Sequence, residues 1–100
     1  MAEVRLSPEA EAELDEIWLY IARESGSIDV ATRVVENITE RFWLSALHPY
    51  IGRSRDEDLR PGLRNFPVGD YVIVHRVKKD DAVLILHILH GNRDLGSLLH

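Results

Sequence analysis

Apolar residues recur at helical spacing through the front half of the chain and in alternation or continuous runs through the back half. Glu3-Val4-Arg5-Leu6 alternates polar and apolar and predicts a short edge strand. Ser7-Pro8-Glu9 then reads as a helix start: the serine caps a free backbone N–H, and proline sits where its missing N–H costs nothing. Glu9, Glu11 and Glu13 place negative charge near the positive end of the helix dipole. Ala10, Leu14, Ile17, Trp18 and Ile21 form one apolar stripe, and the helix is expected to stop near Ser25-Gly26. Ala31, Val34, Val35, Ile38, Phe42 and Leu47 repeat the period until His48-Pro49 closes a second helix. So short a turn between them makes the two helices an antiparallel hairpin.

After an irregular stretch through Arg60, the pattern becomes β. Leu63-Arg64-Asn65-Phe66-Pro67 is strand-like, Val68-Gly69-Asp70 is a turn, and Tyr71 to Val77 is rich in β-branched residues. A polar turn over Lys78–Asp81 leads to a long apolar run from Ala82 to His90, bounded by Gly91. The expected fold is α+β in the order β-α-α-β-β-β, a helical hairpin packed on one face of a small, mostly antiparallel sheet.

With Val77 opposite Ala82, side-chain alternation defines two faces on the last two strands. One carries Tyr71, Ile73, His75 and Val77 with Leu84, Leu86, Ile88 and His90. The other carries Val72, Val74, Arg76 and Lys78 with Val83, Ile85, His87 and Leu89. Both are apolar and only one hairpin is at hand. Either the second face is left open for a partner, or residues 49–61 and the C-terminal tail fold over it. A slip of one residue would exchange the faces.

Composition narrows the classes. A chain of 100 residues, 45% hydrophobic and 29% charged, is the size and make-up of one globular domain spanning residues 1–100. It has no cysteine, hence no disulfide, thiolate metal site or cysteine nucleophile, which fits a cytoplasmic protein. The start lacks the pattern of a signal peptide, and no apolar run approaches the roughly 20 residues that span a bilayer, so no membrane role is expected. A net charge of −5 argues against a surface that wraps nucleic acid on its own.

Candidate chemistry is sparse. His87 and His90 point to opposite faces of a strand, and no His-Glu-x-x-His pattern accompanies them, so no metal site and no cofactor are expected. The serines lie at caps and turns, without a nucleophile elbow. The carboxylates of the first helix are spread around it and mostly read as a solvated face with a favourable dipole. Residues 52–64 pack four arginines and three acids into a turn-rich stretch. That stretch is either a solvated loop of surface ion pairs or an arginine-rich recognition loop, since guanidinium forks suit carboxylates and phosphates alike. His90-Gly91-Asn92-Arg93-Asp94 carries the same ambiguity.

Taken together, Leu6-Ser7-Pro8-Glu9-Ala10, Leu14-Asp15-Glu16-Ile17-Trp18, His48-Pro49 with Gly52-Arg53, Leu59 to Arg64, Tyr71-Val72-Ile73 and Leu89 to Asp94 resemble the ParE-type toxins of bacterial ParDE toxin–antitoxin systems, within the RelE/ParE superfamily. The resemblance covers nearly the whole chain. It implies a non-enzymatic toxin that binds DNA gyrase, blocks supercoiling and stabilises cleaved DNA, and that a ParD-like antitoxin neutralises. The related RelE branch cleaves mRNA on the ribosome, and here Arg76, Lys78 and His87 would have to supply the cations and the acid–base group. His87 stands where ParE-like sequences usually carry arginine, and the chain is acidic where RelE-type nucleases are basic; both favour gyrase. A non-toxic antitoxin-binding module is a third possibility.

On this reading the gyrase contacts are expected at His90, Arg93, Asp94 and Leu98, supported by Arg60 and Arg64. The antitoxin is expected on the shoulder of the hairpin around Trp18, Ile21 and Trp43, and on the open sheet face through Val72, Val74, Arg76 and His87. Trp18 fits the core equally well, whereas Trp43 lies just off the apolar stripe of its helix.

Overall fold

In the computed structural model, residues 3–48, 52–54 and 63–91 are described. The chain runs β1 (Val4–Leu6), α1 (Pro8–Ser25), α2 (Ile28–Leu47), β2 (Arg53–Ser54), β3 (Leu63–Val68), β4 (Tyr71–Val77) and β5 (Val83–His90). The strands form one sheet in the order β1-β5-β4-β3-β2. β1 runs parallel to β5 and the remaining pairs are antiparallel. The expected β-α-α-β-β-β order is therefore present, with the two-residue β2 added inside the stretch that the sequence pattern leaves irregular. β2 pairs with the edge of β3. Gly52 precedes it at φ 84°, where a Cβ would collide with the Asn65 carbonyl, so the approach of the two chains requires glycine.

The helix boundaries follow the capping chemistry. Ser7 accepts the Ala10 N–H at 3.0 Å, Pro8 opens α1, and Gly26 ends it in the left-handed conformation at φ 67°. Ser27 accepts the Val30 N–H at 3.2 Å and starts α2 at once, which folds the helices back on each other. Ser7 also ties α1 to the sheet: its N–H reaches the Ile85 carbonyl at 2.9 Å and its hydroxyl the Leu86 carbonyl at 2.8 Å.

The core lies between the hairpin and one sheet face. Ala10 and Ile17 of α1 and Ile38 and Phe42 of α2 pack with Phe66, Tyr71, Ile73, Val83, Ile85 and Ile88. Leu47 departs from its expected place on the α2 stripe and is exposed, while Ser45 and Ala46 are buried. Helical period explains this, because residues 38, 42 and 45–46 share a face and residue 47 turns off it. Ser45 is satisfied locally, its hydroxyl donating to the Phe42 carbonyl at 2.6 Å.

The expected hairpin register is corrected. Val77 pairs with Val83, not Ala82, because Lys78 N–H closes the turn on the Ala82 carbonyl and Asp81 adopts φ 62°. A bulge between Val74 and His75 then shifts the register again, so that Val74 faces His87 while His75 faces Ile85. The consequence is a split strand. Ile88 and Leu89 lie on the faces expected for them, whereas Val83 and Ile85 belong to the helix-covered face and Leu84 to the other. The bulge flips the alternation at Leu86.

Candidate functional site

The second sheet face is not bare at its centre, as one reading expected. Val72, Val74 and Leu89 make a separate buried cluster there, and Val74 is fully shielded from solvent. Val72 and Val74 are thus packed within the chain in this structure, and a partner reaching them would first have to displace that packing. The polar members are more accessible: Arg76 is exposed and His87 partly so.

His87 is held by the helical layer. Its Nδ1 lies 3.1 Å from Glu13 Oε2, and Glu13 Oε1 accepts the backbone N–H of Ile88 at 2.9 Å. One carboxylate on the second turn of α1 therefore grips both a side chain and the main chain of β5. The α1 acids are expected mostly on a solvated face, and Glu13 is one that is not. No local signal in the sequence separates Glu13 from Glu9 or Glu11; only the docking of α1 across β5 does.

The hairpin shoulder also divides. Trp18 is half-buried and donates its indole N–H to Thr32 Oγ1 at 3.2 Å, bridging the two helices. Ile21 packs against the main core. Trp43 is 63% exposed, and Leu47, one turn further along α2, is 68% exposed. From Thr32 to Trp43 the helix rises about 16 Å. The expected patch of Trp18, Ile21 and Trp43 is thus two separate places, and of the three only Trp43 is exposed, with Leu47 beside it.

Of the residues expected to touch gyrase, His90 is exposed at the end of β5, where its ring meets Tyr71 edge-on at 5.4 Å. Arg64 is half-buried and donates to the Gly52 carbonyl at 2.7 Å, so it serves the β2–β3 junction. Arg60, Arg93, Asp94 and Leu98 lie outside the described residues. Among the described residues no three His, Asp or Glu side chains gather in a metal-binding group, and no helix is long and apolar enough to cross a membrane.

The family model described as the ParE toxin of the type II toxin–antitoxin system parDE matches residues 4–95. Toxin ParE1 of Mycobacterium tuberculosis is 31% identical over 94 residues, covering 94% of each chain. Toxin ParE1 of Caulobacter vibrioides is 34% identical over 99 residues, covering 99% of each. Among solved structures, the chromosomal ParDE toxin–antitoxin system from P. aeruginosa superposes with a TM-score of 0.77 at 24% identity, covering 91% of this chain and 97% of that one. At that identity the superposition speaks for the shared fold.

Proposed function

The chain belongs to the family of ParE toxins of type II toxin–antitoxin systems, and from that premise we propose that it acts in the cytoplasm by binding DNA gyrase, without catalysis of its own, until a ParD-like antitoxin neutralises it. The observation that carries the antitoxin half is the exposure of Trp43 and Leu47 side by side on α2. Two large apolar side chains one helical turn apart form the kind of strip onto which an amphipathic segment packs.

The distance of Lys78 and the engagement of His87 with Glu13 support binding over RNA cleavage. A cleaving centre would need His87, Arg76 and Lys78 to converge on one phosphate. Arg76 stands two residues along β4 from Val74, the residue opposite His87, so those two side chains are diagonal neighbours on one face. Lys78 lies about 13 Å along the strand direction from the level of Val74. His87 meanwhile spends its Nδ1 on Glu13.

Expression of the chain alone is expected to arrest growth with loss of plasmid supercoiling and appearance of cleaved DNA. Co-expression of the neighbouring antitoxin is expected to restore both. Growth arrest with intact supercoiling and cut mRNA would overturn the gyrase reading; no arrest by folded protein would make the chain a non-toxic antitoxin binder.

A further inference from the structure

We propose that the groove between α1 and the end of β5 receives a cationic side chain, an arginine guanidinium above all, carried by an extended segment of a protein partner. The groove encloses about 360 Å³, at the small end of the range for ligand sites. One wall is a single face of α1, since Glu13, Glu16, Ile17 and Tyr20 lie three, four and seven residues apart. The other is built from Tyr71 at the start of β4 and Ile88, Leu89 and His90 at the end of β5.

The lining is ordered for an aliphatic stem with a charged, planar head. Ile17 and Ile88 supply an apolar floor, and both belong to the main core. Tyr20, which is exposed, and Tyr71 add aromatic rings to the lining, the kind of surface that attracts a guanidinium by cation–π interaction. Glu13 is largely engaged with Ile88 and His87, so Glu16, exposed on the rim, is the carboxylate left to meet the charge. The phenol of Tyr71 responds to the same environment: burial raises its pKa, and Asp70 and Tyr20 raise it further. An anion would meet two carboxylates here. A lysine would gain the charge but not the planar stacking or the fork.

The backbone suits an extended partner. β1 ends at Leu6, level with Ile85. Beyond that point no strand flanks β5 on this side among the described residues, and the Ile88 N–H turned to this edge is met by Glu13. A peptide laid along this edge would follow the line of β1 and drop a side chain between Glu16 and the two tyrosines. The proposal is independent of the toxin reading, and its test uses neither gyrase nor antitoxin.

The test is an NMR titration of the folded chain with Nα-acetyl-arginine methylamide, with the citrulline analogue as its uncharged isostere. Saturable shifts are expected at the Ile88 and His90 amides and the Tyr20 and Tyr71 rings. Both the citrulline analogue and the Glu16→Gln variant are expected to bind about fivefold more weakly, as for one partly solvated ion pair. Saturation with the arginine compound is also expected to lower the Tyr71 titration. Equal binding of citrulline, unchanged affinity in Glu16→Gln, shifts centred elsewhere, or no saturation at all would each overturn the site.

Discussion

The two halves of β5 belong to one strand yet lie in different surroundings. From Val83 to Ile85 the strand is flanked by β1 on one edge and β4 on the other. Val83 and Ile85 enter the core, and Ser7 fastens the carbonyls of Ile85 and the adjoining Leu86 to the start of α1. From His87 to His90 the β1 side carries no strand among the described residues, and α1 approaches through Glu13 instead. The bulge at Leu86 marks the change. A strand sealed on both edges is committed to stability. One whose edge is met by a single side chain keeps a groove beside it, and that groove is where the chain has room to receive something.

Substitutions that strike each half separately sharpen this contrast. Ile85→Ala removes a fully buried side chain from the sealed half and is expected to cost about 2–5 kcal/mol in urea denaturation. Ser7→Ala loses the α1 cap and the bond to Leu86, for about 1–2 kcal/mol, with fraying of the first turn of α1 in circular dichroism. Glu13→Ala acts on the open half. Leaving the Ile88 N–H without its acceptor is expected to cost about 1–2 kcal/mol and to speed hydrogen exchange at Ile88 while Ile85 stays protected. If Glu13→Ala destabilised as much as Ile85→Ala, the two halves would not differ as described.

Tyr71 gives a smaller, pH-dependent effect. Its folded pKa lies above the ordinary value of 10.0, because burial disfavours the phenolate and Asp70 and Tyr20 add to the shift. The folded state therefore holds this proton more tightly than the unfolded state. The resulting stability is fully present below pH 10 and is lost as pH rises through the folded pKa. Tyr71→Phe is expected to flatten the alkaline loss of stability above pH 10 and leave the neutral range nearly unchanged. The least effect on stability is expected at Trp43. Although Phe42 beside it is buried, Trp43→Ala on the exposed side should change stability by no more than about 0.5 kcal/mol. The same variant should weaken antitoxin binding in calorimetry more than it lowers stability, and unchanged affinity would remove Trp43 from the interface.

Most of the architecture was legible in the sequence because its signals are local. Ser7-Pro8 and Gly26-Ser27 punctuate the helices through capping, and helical period places Trp43 off the buried stripe. The register of β4 and β5 was not legible, because one turn geometry and one bulge decide it and neither changes the apolar pattern of a strand that is apolar on both faces. Glu13 was hidden for a similar reason. A glutamate that grips a strand edge looks like its solvated neighbours until the helix is docked. The separation of Trp18 from Trp43 likewise depends on where the hairpin crosses, which spacing within each helix does not set.

The most direct measurement is DNA supercoiling by purified gyrase in the presence of this chain, with and without its antitoxin. The account predicts inhibition with accumulation of cleaved DNA, relieved by the antitoxin. Full supercoiling at a large excess of folded protein would contradict it.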